Sequence, residues 1–250
     1  MNAVEDNAFS RTWQSMGVDI PRPKAILCIS AHWETPGVYV TAAQSPETIH
    51  DFYGFPQKLF DVQYRAPGSP ALARRVAELI ASTSVKPDLK RGLDHGVWSV
   101  LLPMYPEADI PVVQISIDTK QPGAFHYALG RELAPLREEG ILIIGSGDIV
   151  HNLGTFRFDQ TKPMDWAERF NNKAKEFIMS GEHGPLIDFP SLGADAALSI
   201  PTPEHYLPLL YILGMQNADD KISLFNDTVI SSISMTGVAL DGNMQKSAPR

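Results

Sequence analysis

The residues best able to do chemistry are histidines, seven in a chain of 250. A neutral imidazole ligates divalent metals and titrates near neutral pH, so one residue type can serve both as metal ligand and as proton carrier. His32 stands in Ser30-Ala31-His32-Trp33, directly after an apolar run, and His151 follows another such run through Gly145-Ser146-Gly147-Asp148. His95, in Leu93-Asp94-His95-Gly96, and His205, in Pro203-Glu204-His205-Tyr206, open stretches that read as helices. None of the spacings is a local metal motif: there is no HExxH, no CxxC, and no two histidines share a helical turn. A lone loop histidine is more often hydrogen-bonded or solvated than a ligand, so the pattern alone leaves a metal site and a bland reading both open. The His50-Asp51 pair lies among Phe52, Tyr53 and Phe55, an aromatic loop that suits a planar ligand or simply packs down on itself. His126, inside a helical stretch, and His183, in a polar turn, read as structural.

The elements that must position these residues follow from apolar periodicity. Lys24–Ala31 is a continuous apolar run rich in branched residues, the signature of a strand buried on both faces, and Val112–Ile117 and Ile141–Ile144 repeat that signature. Val38–Ala42 reads as another strand, and Ile222–Phe225 with Val229–Met235 as closing strands. Ser69-Pro70 is an N-cap followed by a first helical position, with Leu72, Val76, Leu79 and Ile80 on one face. Phe125–Glu139 reads as a helix kinked near Pro135, Trp166–Met179 as amphipathic, and Tyr206–Leu213 as a short apolar helix interrupted by Pro208. This alternation predicts an α/β sandwich, one domain with a central, mostly parallel or mixed sheet flanked by helices. In such sheets ligands gather beyond the carboxyl ends of the strands, where His32 and His151 fall.

Composition narrows the field further. A net charge of -8 with no clustered Lys/Arg argues against a nucleic-acid partner. The amino terminus lacks the layout of a secretory signal, and no apolar stretch approaches the ~18 residues of a membrane span, so a cytoplasmic protein without membrane contact is expected. The single cysteine, Cys28, lies inside an apolar run, reads as buried filler and fits a reducing compartment. Arg91 and Lys120 are candidate partners for a substrate carboxylate, and the oligomeric state is left open.

SAHW, TIHDFYGFP, APGSPALA, LDHGVW, MYPEADIPVVQISI, SGDIVHNL and PTPEHYLPLLY occur in this order between Ser30 and Tyr211, within a resemblance that runs from Asn2 to about Met235. In these motifs the chain resembles the class III extradiol ring-opening dioxygenases of the DOPA dioxygenase type, and more distantly the LigB-type subunits. The resemblance implies a non-haem divalent metal, Fe(II) for activity or zinc as often purified, held by His32, His151 and His205. In the protocatechuate branch the histidine matching His151 is an acid/base group and a glutamate completes the ligands, which makes Glu204 a rival to His205. His95 matches a histidine placed to hydrogen-bond substrate or oxygen, so His95 and His151 are the expected catalytic proton carriers, while His50 and Asp51 are expected to bind substrate. The implied reaction takes a catechol and O2, opens the ring beside the diol and yields a muconic semialdehyde, a seco-DOPA in the case of 4,5-DOPA.

Family members begin with a short apolar strand running into a Gly-His-Gly-Ser-Pro motif, whose histidine is a metal ligand. The resemblance therefore implies one catalytic domain over residues 1–250 from which that strand and ligand are missing, a start codon set too far downstream being the expected reason. Two rival readings follow: a zinc hydrolase, since three histidines and an activated water also serve hydrolysis, and an inactive ligand-binding relative, as in the MEMO-type proteins.

Overall fold

The computed structural model describes residues 3–241. Five strands, β1 (Ala25–Glu34), β2 (Val38–Thr41), β3 (Val85–Asp88), β4 (Val112–Ile117) and β5 (Ile141–Ser146), form a sheet in the order β3-β2-β4-β1-β5. β1 runs parallel to β4 on one side and to β5 on the other, and β2 is parallel to β3 but antiparallel to β4. The result is the mixed, mostly parallel sheet expected from the sequence.

The continuous apolar run of β1 has a simple cause, because alternate residues enter two different cores. Leu27 and Ile29 belong to a core shared with the helices Pro70–Leu79, Gly123–Leu133, Asp165–Ser180 and Leu207–Gly214. Ile26 and Cys28 face the other way, into a core with Val97, Trp98 and Leu101 of the helix His95–Met104. A strand covered on both faces has no solvent side and therefore no polar alternation. Ser69 caps its helix as predicted, its side chain accepting from Leu72 N.

Several local expectations are corrected. β1 does not stop at Ala31 but continues through His32 to Glu34, so His32 is a strand residue. The Phe125–Glu139 stretch breaks at Ala134 into Gly123–Leu133 and a single turn Pro135–Glu138, because Pro135 has no N–H to continue the ladder. Pro208 does not interrupt its helix; it sits in the first turn, where a missing N–H costs nothing. Val229–Met235 is a tight hairpin of Val229–Ile230 with Ile233–Ser234, and Lys221–Phe225 pairs with Gly237–Asp241 in a separate ribbon. The helix Ala8–Asp19 was not foreseen; Asn7 and Ser10 form its capping box. Among the described residues no helix is long and apolar enough to cross a membrane. Met1 and Asn2, where the family resemblance begins, lie outside the described residues.

Candidate metal centre at the strand ends

Four of the seven histidines meet. His32 comes from the end of β1 and His95 from the first turn of its helix, and their rings lie 3.9 Å apart. His205 stands edge-on to His32 at 5.1 Å and is stacked on His151 at 3.5 Å with the rings 6° from parallel. Carboxylates stand around this row. Asp51 Oδ1 accepts from the backbone N–H of His95 at 3.0 Å and lies 2.9 Å from its Nδ1, while Asp51 Oδ2 is 3.6 Å from His32 Nδ1. An ionised carboxylate can only accept, so His95 carries its proton on Nδ1 and, when neutral, keeps a lone pair on Nε2. Glu204 does the same for His205: its Oε1 lies 3.1 Å from His205 Nδ1 and also accepts from Thr202 Oγ1 at 2.8 Å. Donor atoms converge in two sets, His32 with Asp51 and His95, and Asp148 with His151 and His205, those of each set lying within 4.8 Å of one another.

The framework beneath is a buried charge network. Asp94 is fully buried and takes Ser30 Oγ at 2.7 Å on one oxygen, and Gln114 Nε2 at 2.7 Å and Arg91 Nη2 at 2.9 Å on the other. Arg91 Nη2 also donates to the carbonyl of His32 at 3.0 Å. Ser146 Oγ, at the end of β5, donates to the Gly96 carbonyl at 2.6 Å. β4 through Gln114, β1 through Ser30 and β5 through Ser146 thus each hold the start of the His95 helix. Gly96 permits the close approach: a Cβ there would stand 2.5 Å from Ser30 Oγ and 2.9 Å from His32 Cδ2. On the far side, His151 N donates to Ser199 O at 2.9 Å and pairs across a bridge with Ile233.

Electrostatics favour a cation among these groups. Burial, reinforced by the neighbouring histidines, lowers His32 to about 4, and burial with the His205 charge lowers His151 to about 4, so both are neutral at pH 7. Burial alone would raise Asp51, but the hydrogen bonds from His95 and the His95 and His32 charges hold it down at about 2. Glu204 is likewise held at about 2 against its burial by His205 and Thr202. Burial pushes Asp148 up to about 6, opposed only by His205. Among the described residues no Lys or Arg pairs with Asp51, Asp148 or Glu204. Neutral imidazoles beside carboxylates that have no Lys or Arg partner are the donor chemistry of a borderline divalent metal, so the residues present fit one.

Of the residues singled out in the sequence, His32, Asp51, His95, His151, Glu204 and His205 are brought together. His50 is not: its Nε2 lies 2.9 Å from the Val62 carbonyl, and its ring packs among Phe52, Phe60 and Trp98. Arg91 is committed to Asp94 and the His32 carbonyl. His126 and His183 lie elsewhere, against Tyr211 and Tyr127 respectively. Asp94 and Asp148 were missed as site residues, although each stands within three positions of a marked histidine.

Residues 5–239 match the family described as the catalytic LigB subunit of aromatic ring-opening dioxygenase. The chain is 48% identical to the 4,5-DOPA dioxygenase extradiol of Escherichia coli (strain K12), over 96% of this chain and 90% of that one. It is 39% identical to the 4,5-DOPA dioxygenase extradiol of Beta vulgaris, over 91% and 87%. A solved structure described as an uncharacterized protein from Escherichia coli K12 matches with a TM-score of 0.83 at 43% identity, covering 94% of this chain and 93% of that one.

Proposed function

The chain belongs to the family of catalytic LigB subunits of aromatic ring-opening dioxygenases and is a metal-dependent extradiol ring-cleaving enzyme acting on a small molecule with O2, and we propose that its substrate is a catechol of the 4,5-DOPA type. The observation that carries the reading is the row of four histidines, His95-His32-His205-His151, flanked by Asp51 and Glu204. In this proposal residues 1–250 act as one catalytic domain, in a reducing cytoplasmic setting that suits the buried, free Cys28.

His32, His151 and His205 would hold the metal, Fe(II) in the active enzyme, with zinc able to occupy the same donors. When bound, the metal supplies Lewis acidity that acidifies the catechol hydroxyls and a place for dioxygen beside the ring. The protein supplies orientation and proton transfer. Glu204 lies on His205 Nδ1, which would fix the tautomer and leave Nε2 to ligate, so in this reading Glu204 orients and His205 binds the metal. Asp51 fixes His95 in the same way, so that His95 Nε2 takes a hydroxyl proton from the substrate. His151, on the opposite flank of the row, is placed to return a proton as the ring opens. Both oxygen atoms of O2 enter the product, and the protons taken from the diol are returned to it, so the step balances without another reductant.

The test is oxygen uptake after anaerobic Fe(II) loading, with L-DOPA or unsubstituted catechol added. The expected result is equimolar consumption of O2 and catechol and a yellow product; for unsubstituted catechol, the product is heavier than the substrate by one dioxygen molecule. Turnover of esters or amides with zinc, and no oxygen uptake with iron, would replace this reading by the hydrolase one.

A further inference from the structure

We infer that Asp148 is itself a metal-binding residue, supplying a carboxylate oxygen beside the imidazoles of His151 and His205. The inference rests on the dioxygenase reading of the site and adds a donor to the three histidines named there. Its first support is placement: the donor atoms of Asp148, His151 and His205 converge within 4.8 Å. That placement is built into the backbone. Asp148 N donates to the His205 carbonyl at 2.8 Å, joining the turn after β5 to the segment before the last apolar helix. A Cβ on Gly147 would collide with the same carbonyl oxygen, so the glycine lets the two segments come this close.

The second support is a contrast between the three carboxylates of the site. Asp51 receives two hydrogen bonds from His95, and Glu204 is engaged by Thr202 and His205. The Asp148 carboxylate, in a half-buried position, has no hydrogen bond or ion pair among the described residues. Removing a carboxylate from water without a partner is costly, and such groups persist where a cation or a set of donors compensates them. Two imidazoles and an unpartnered carboxylate whose donor atoms lie within 4.8 Å of one another match the mixed nitrogen and oxygen donor set of a non-haem iron site. The strain of holding Asp148 there is then a stability cost of the metal-free chain that metal binding removes.

The experiment titrates metal-free protein with Co(II), whose visible absorption reports its ligands, in wild type, Asp148→Asn, Asp148→Ser and His205→Ala, with a melting curve of each metal-free form. The expected result is a loss of Co(II) affinity of about 10–100-fold or more in both Asp148 variants, with an altered visible band. Their metal-free melting temperatures should stand at or above wild type, because an uncompensated charge has been removed. That opposite sign is one a merely structural residue would not produce. Wild-type affinity and spectrum in the Asp148 variants, with binding lost in H205A, would overturn the role of Asp148 and leave the metal site standing. A fall in melting temperature alongside weaker binding would also overturn it, marking Asp148 as structural. Unchanged binding in H205A would overturn the site reading itself.

Discussion

Asp94→Asn is the perturbation that loads the framework most heavily. The Asp94 side chain is fully buried, with donors from Ser30, Gln114 and Arg91 on its two oxygens. Asparagine keeps the shape but offers one acceptor oxygen, so at least one donor meets an amide NH2, and the Arg91 guanidinium loses its counter-charge. Removing one partner of a buried ion pair costs about 3–5 kcal/mol. Arg91 keeps 21% of its side-chain exposure, which screens the orphaned charge and places the expected loss near the lower end, about 3 kcal/mol. For a chain of this size that is a fall of about 6–12 °C in melting temperature. Metal affinity should fall with it, since Arg91 also holds the His32 carbonyl and Asp94 directly precedes His95. The assay is circular-dichroism melting of metal-free D94N, R91M and the double variant. The pair should couple, the double variant being more stable than the sum of the single losses implies. A melting temperature for D94N within ~2 °C of wild type, with no coupling to R91M, would refute the reasoning.

Three further outcomes are expected. Asp51→Asn should lower kcat by about 100-fold or more with KM little changed, because His95 loses the carboxylate that sets its tautomer; steady-state oxygen uptake checks this, and rescue by Asp51→Glu would exclude a purely structural role. Gly96→Ala should cost about 1–3 kcal/mol and weaken Co(II) binding, since the added methyl meets Ser30 Oγ and His32; urea unfolding and metal titration read the two effects. Metal-free protein should lose stability as pH falls from 6.5 toward 4. Burial lowers His32, His126 and His151 to about 4, so between these limits the unfolded chain binds more protons than the folded one. Asp148, raised by burial to about 6, acts in the opposite direction between 3.8 and 6, but as one group against three. The net expectation is a loss of about 2–4 kcal/mol between pH 7 and pH 5, and stability that is flat or rising over that interval would contradict it.

β1 and β4 were legible because two-sided burial leaves a plain trace in their branched apolar residues, and His32 and His151 could be placed at strand ends; β5 carries the same trace, yet it is an edge strand whose residues are all only partly buried. The ribbon and hairpin after residue 220 were less legible, since short segments of two to five residues carry the same composition whether or not they join the main sheet. Within the site, imidazole chemistry marked the histidines, but their convergence depends on crossovers that no spacing encodes. The His50-Asp51 pair shows the limit of reading neighbours together: Asp51 turns toward His95 and His32, while His50 packs toward Trp98 and Phe60. Asp94 stands at the N-cap of the His95 helix, yet its side chain makes no capping bond; the carboxylate turns into the sheet to meet Gln114 and Ser30. Asp148, inside a glycine-rich turn, gave no sign of its own until His205, 57 positions on in the chain, was folded beside it.

The central claim is that one metal sits among these histidines. Diffraction from crystals loaded anaerobically with Fe(II), recorded on either side of the iron absorption edge, tests it most directly. The account predicts a single anomalous peak bounded by His32, His151, His205 and Asp148, with His95 and Asp51 beyond bonding distance on the side open to substrate. A peak elsewhere, or none at full iron loading, would contradict it.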